Sequence, residues 1–242
     1  MDEMRYERQI VIPQIGEEGQ ARLGEARVLI IGAGGLGSPI ALYLAAAGVG
    51  TLGLADPDQV SVSNLNRQIL YTTDDVGRDK TAAAAERLRA LNPEIEVATY
   101  PAEIRSEGGP DLAAEYDLVV EACDALASKA LVNEICVAAQ TPLIWAAVSR
   151  FEGQLGVYVP GHACRACVFP QTPEPGEYPA PAELGIVGAA AGVMGSLEAV
   201  EAIKVLLDIG EPFVDAILLW QGLTGVFERV EISRNPDCRC CS

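Results

Sequence analysis

The chain has 242 residues, half of them hydrophobic, enough for one well-cored domain with some elaboration. Seventeen basic residues against 34 acidic ones leave a net charge of −17, and a surface that acidic repels polyanions, which argues against DNA, RNA and anionic membranes as partners. Any phosphate site must then be assembled locally, from backbone amides and a few placed cations. The N-terminus shows no apolar targeting segment. Seven cysteines, with two C-x-x-C spacings, point to metal in a reducing compartment, so a cytoplasmic protein is expected.

Residues 5–23 have interrupted helical spacing and predict one or two short helices. Residues 28–55 carry no charge, long enough for a bilayer span, but their seven glycines divide them into a buried strand, a turn, a helix and a second strand. The strand at 28–31 leads into a glycine loop, then a helix over 36–47 closed by Gly48 and a strand over 51–55. A helix over 77–91 stops at Asn92-Pro93, and a strand follows over 95–100. Strands at 118–120 and 143–145 flank a helix near 126–139. This alternation predicts an α/β fold, a Rossmann-like and mainly parallel sheet with helices on both faces. From 155 the pattern changes to a strand over 155–159, a long loop over 160–183 and a helix at about 187–208. Strands near 215–220 and 225–232 complete an antiparallel extension. The economical division is a single domain, 1–242: a helical arm (1–24), a nucleotide-binding core (25–153) and an extension (154–242).

The loop Gly32-Ala33-Gly34-Gly35-Leu36-Gly37, set between strand and helix, places a phosphate against a helix N-terminus. Asp56 follows Gly32 by 24 residues at the end of the second strand, where a carboxylate can accept ribose hydroxyls. These features alone suit NAD as well as ATP. Ser63-Asn64-Leu65-Asn66-Arg67-Gln68 and Lys80 add polar groups and cations close to the loop. They suit a triphosphate, whose leaving groups need Arg or Lys. Asp124 follows the strand at 118–120, placed either to hold Mg²⁺ on the phosphates or, before Ala125, to cap the next helix.

Cys164-Arg165-Ala166-Cys167 and Cys238-Arg239-Cys240-Cys241 supply two thiol pairs. Four thiolates suit a closed, structural Zn²⁺ site of Cys164, Cys167, Cys238 and Cys241, with Cys240 surplus, either exchanging with Cys241 as ligand or staying free.

These residues together resemble the MoeB/ThiF/HesA adenylyltransferases, relatives of ubiquitin-activating enzymes. The similarity runs nearly end to end, through Arg5-Tyr6-Glu7-Arg8-Gln9, the glycine loop, Asp56, SNLNRQ at 63–68, Lys80, Asp124, both C-x-x-C pairs and Gly195-Ser196-Leu197-Glu198-Ala199. The resemblance implies ATP-dependent adenylation of the C-terminal Gly-Gly carboxylate of a small ubiquitin-fold sulfur carrier. It implies that Gly35, Asp56, Asn64, Arg67, Gln68, Lys80 and Asp124 contact ATP or its magnesium. It also implies a homodimer in which Arg8 reaches the neighbouring subunit's ATP site. Molybdopterin, thiamine, cysteine and thio-tRNA pathways all use this chemistry. Many relatives carry a cysteine in the crossover loop, but here Pro181 stands at that place and residues 168–200 contain no cysteine. Adenylation alone is therefore expected, with sulfur from a separate donor and no sulfurtransferase domain fused behind Ser242. An NAD-dependent oxidoreductase with structural zinc and an inactive nucleotide-binding scaffold are the alternatives.

Overall fold

A computed structural model of the chain describes residues 3–171 and 184–242. Pro181 lies outside the described residues. Eight strands form one sheet in the order β3-β2-β1-β4-β5-β6-β7-β8. The parallel half comprises β1 (Arg27–Ile31), β2 (Thr51–Ala55), β3 (Glu96–Tyr100), β4 (Leu118–Glu121) and β5 (Leu143–Ser149). The antiparallel half adds β6 (Glu152–Tyr158), β7 (Ala216–Gln221) and β8 (Val226–Glu231).

The uncharged strands are buried on both faces, as parallel strands covered by helices must be. Val28 and Ile30 of β1 face one core, packed by α2 (Gly16–Glu25), α3 (Gly37–Ala47), α4 (Lys80–Leu91) and α8 (Gly188–Leu207). Leu29 and Ile31 face the other, packed by α5 (Gly109–Ala113), α6 (Leu126–Ala139) and α7 (Arg165–Val168). The first helix, α1 (Glu3–Ile10), is pinned by Tyr6, whose ring lies against Gly48 and whose hydroxyl accepts from Asn92 Nδ2 at 2.8 Å. Gly48 closes α3 in the left-handed conformation at φ +83°, which glycine adopts without strain.

Several boundaries differ from the sequence-based expectations. The helix expected from residue 77 begins at Lys80, because Gly77 turns at φ +87° and Asp79 is extended. The division expected at 153 falls inside β6, which pairs with β5 from Glu152 to Tyr158 and has no break there. Two short helices were not anticipated: α5, whose Gly-Pro start reads as a turn, and α7, which interrupts the stretch expected as a loop. Among the described residues, no helix is long and apolar enough to cross a membrane.

Candidate functional site

The chain leaves β1 for β2 on one side and returns to β4 on the other, so a crevice opens at the carboxyl ends of β1 and β4, where open α/β sheets gather ligands. The glycine loop fills this point. Gly32 turns at φ +101°, and a Cβ there would lie 2.6 Å from the Ala122 carbonyl oxygen, so only glycine lets the loop pass beneath β4. Gly32 and Ala33 spend their N–H groups on the Ala55 carbonyl and the Asp56 carboxylate. The amides of Gly34, Gly35, Leu36 and Gly37 have no acceptor among the described residues. These four N–H groups precede and open α3, where the positive end of the helix dipole favours an anion.

Asp56 is buried and already engaged. One carboxylate oxygen accepts Ala33 N–H at 2.8 Å, and the other accepts Asp58 N–H at 2.9 Å. Lys80, only 3% exposed at the start of α4, sets its ammonium 3.6 Å from Asp56 and 2.7 Å from Asp58. Tyr71 donates to the Ala33 carbonyl at 2.8 Å, and burial, followed by the charge of Asp56, pushes its pKa well up, so it stays a neutral donor.

The 63–68 segment forms the second wall. Arg67 lies against Gly35, with its Cγ 3.4 Å from where a Cβ would sit. Its guanidinium donates to the Ser63 carbonyl at 3.2 Å and to the side chains of Asn64 at 2.9 Å and Asn66 at 3.1 Å, so among the described residues it meets no carboxylate. Gln68 Nε2 approaches Gly34, while its buried Oε1 has no hydrogen-bond partner among the described residues. The start of α8 closes this side: a Cβ on Gly188 would strike the Asn66 carbonyl at 2.2 Å.

Asp124 is exposed just beyond β4 and forms no hydrogen bond or ion pair among the described residues. The helix-capping alternative fails here, because the cap position of α6 falls on Ala125, with no side-chain hydrogen bond. An exposed carboxylate without a partner among the described residues, two residues past the Ala122 carbonyl that packs on Gly32, has the chemistry a hard divalent cation takes. Arg8 is exposed on α1, likewise without a hydrogen bond or ion pair among the described residues.

Three buried glutamates among the described residues had no role assigned from the sequence: Glu121, Glu198 and Glu201, the last accepting the Phe213 N–H at 2.9 Å. Glu121 pairs with Lys129, and the signal available was a charge closing the apolar run 118–120. Glu198 on α8 is fully buried, and neither carboxylate oxygen is hydrogen-bonded among the described residues. Burial, then the charge of Glu121, pushes its pKa well above the ordinary carboxylate value.

On the opposite face, the Sγ atoms of Cys164, Cys167, Cys238 and Cys241 all lie within 4.8 Å of one another. Cys164 and Cys238 are 3.7 Å apart, Cys167 and Cys241 3.5 Å. Four sulfurs around a tetrahedral zinc at about 2.3 Å would be separated by roughly 3.8 Å, so the cluster is compatible with such an ion. Cys240 stands outside it and accepts from Asn133 Nδ2 at 3.1 Å. His162, next to this cluster, is occupied with Asp215 at 2.7 Å.

The ThiF family model matches residues 6–240. The sulfur carrier protein adenylyltransferase of Thermus thermophilus is 46% identical over 243 residues, covering 98% of this chain and 90% of that protein. The adenylyltransferase and sulfurtransferase MOCS3 of Mus musculus is 44% identical over 240 residues, and this chain spans 52% of its length. The crystal structure of E. coli MccB with ATP superposes with a TM-score of 0.81 at 28% identity, over 98% of this chain and 74% of that one.

Proposed function

The chain belongs to the ThiF family and is an adenylyltransferase; on that premise we propose that it transfers AMP from ATP to the C-terminal glycine carboxylate of a small ubiquitin-fold sulfur carrier ending in Gly-Gly. A carboxylate oxygen bonds to the α-phosphorus as the bond from that phosphorus to the β-phosphate oxygen breaks, and pyrophosphate leaves with the electron pair. The attacking carboxylate is already ionised at pH 7, so no general base is required. Catalysis then reduces to positioning and charge neutralisation.

In this reading the free amides from Gly34 to Gly37, with Gly32 setting their direction, hold the phosphates. Asp56 takes the ribose hydroxyls on its remaining lone pairs. Ser63, Asn64, Arg67 and Gln68 line the opposite wall, and Arg67 and Lys80 neutralise charge on the departing pyrophosphate. Lys80 exchanges its exposed partner Asp58 for phosphate when the nucleotide arrives. Asp124, beside Ala125, would hold Mg²⁺, which adds charge neutralisation on the phosphates when bound. Arg8 would complete the site of the second subunit in a homodimer. Zn²⁺ on the four cysteines would tie the C-terminal segment to α7. The acyl-adenylate would pass to a separate sulfur donor, since residues 168–200 offer no thiol for a covalent relay.

The observation that carries this reading is the run of free amides at residues 34–37, next to a strand-end carboxylate and a buried ammonium. The test is exchange of labelled pyrophosphate into ATP in the presence of candidate carriers. Exchange that requires the carrier's last glycine supports the reading, and exchange independent of any carrier refutes it.

A further inference from the structure

β4 ends on a charge at a position without solvent exposure. The Glu121 carboxylate receives Lys129 Nζ at 3.0 and 3.1 Å. Lys129, in the first turn of α6 and 3% exposed, also donates to the Ala146 carbonyl on β5. One oxygen of Glu121 turns back to accept the Cys123 N–H at 2.7 Å. Between them, Ala122 N–H bonds to the Ile31 carbonyl at 2.8 Å, and the Ala122 carbonyl is the atom against which Gly32 packs. The ion pair thus joins β4, β5, α6 and the start of the glycine loop. The residue that follows this clamp is Asp124.

Stability does not account for such a pair. Desolvating two charges consumes much of their attraction, and apolar residues of similar volume commonly hold the same elements as well or better. What the charged pair adds is direction: a carboxylate fixed by two donors aims a backbone amide, as outer-shell partners do for ligands of a metal. We propose that Glu121 and Lys129 are positioning residues that fix the turn 121–124, presenting the Asp124 carboxylate to the cation on the phosphates and the Gly32 end of the loop to the nucleotide. This rests on the nucleotide reading given above.

The experiment uses the full chain with Mn²⁺ as the paramagnetic probe and a non-hydrolysable ATP analogue. In a Glu121→Leu/Lys129→Met double variant, which keeps the volume and removes both charges, the melting temperature is expected to stay near that of the parent. The Cys123 amide should exchange with solvent at least about tenfold faster, and half-saturating Mn²⁺ should rise about tenfold, the lower end for loss of an outer-shell partner. A folded double variant with parental amide protection and parental Mn²⁺ saturation overturns the proposal. Should that variant not fold, hydrogen exchange in the parent decides. A Cys123 amide that opens only with global unfolding supports the clamp, and one exchanging like the exposed loops overturns it. A parent chain that binds no Mn²⁺ with the analogue overturns the nucleotide reading underneath, a result distinct from equal binding by both chains.

Discussion

The two halves of the sheet hold their functional groups in opposite ways. In the parallel half β1, β2 and β4 are buried along almost their whole length, and the working groups stand on the loops at the strands' carboxyl ends, above a finished core. In the antiparallel half β8 is mostly exposed, and beside it the sulfurs of Cys164, Cys167, Cys238 and Cys241 lie within 4.8 Å of one another, joining α7 to the C-terminal segment in space. At the first site the scaffold holds Asp56 and Lys80 but leaves Asp124 exposed and without a partner among the described residues. At the second the four thiols would act as scaffold if a metal joins them. Damage to one should therefore alter chemistry without stability, and damage to the other should do the reverse.

The largest effect is expected from Asp124→Ala, which should lower pyrophosphate exchange by about 10²–10³-fold. Its melting point should barely move, because the side chain is exposed and unpartnered among the described residues. Mixing these subunits with Arg8→Ala subunits should restore roughly a quarter of the parental rate if each site is shared across a dimer. No recovery from a verified heterodimer would end the role given to Arg8. Cys164→Ser should reverse the pattern. Metal analysis should fall from one ion per chain, and the chain should unfold at a lower denaturant concentration, with faster amide exchange concentrated near 238–241.

Glu198 gives a smaller, pH-dependent effect. Its folded pKa lies above the ordinary value of 4.5, so between the two the folded chain holds a proton that the unfolded chain has lost. Stability should therefore fall as pH rises above 4.5, by up to about 1.4 kcal/mol per pH unit, and Glu198→Gln should flatten that slope. Parallel slopes for the two chains in urea titrations would show that Glu198 is not held neutral. The smallest change is expected from Cys240→Ser, which should retain the metal, since its sulfur lies outside the four-sulfur group. Loss of the ion would mean that Cys240, not Cys241, completes the set.

The parallel half was legible because its signals are local. The apolar run 28–31, the glycine loop and the C-cap at Gly48 each declare their conformation within a few residues, and α6 spans the expected 126–139. β6 was harder to place, since Gly153 interrupts the alternation that would mark a strand starting at Glu152, and its pairing with β5 is a tertiary fact. At the candidate site, the sequence names side chains that the structure sets around the glycine loop, such as Asp56, Arg67 and Gln68, but not their current partners. Nothing in the spacing says that Asp58, which is exposed, holds Lys80, or that Arg67 folds back on Asn64. The Glu121–Lys129 pair is hidden for the same reason: eight residues separate its members, and only the packing of α6 on the sheet brings them together.

The most direct test of the central claim is the intact mass of a Gly-Gly carrier after incubation with this chain and Mg-ATP, with pyrophosphatase present to draw the reaction forward. The carrier is expected to gain one AMP, lost again on mild hydrolysis, and a carrier lacking its last glycine to stay unchanged. Carriers that remain unmodified while the chain binds NAD in the glycine loop would contradict it.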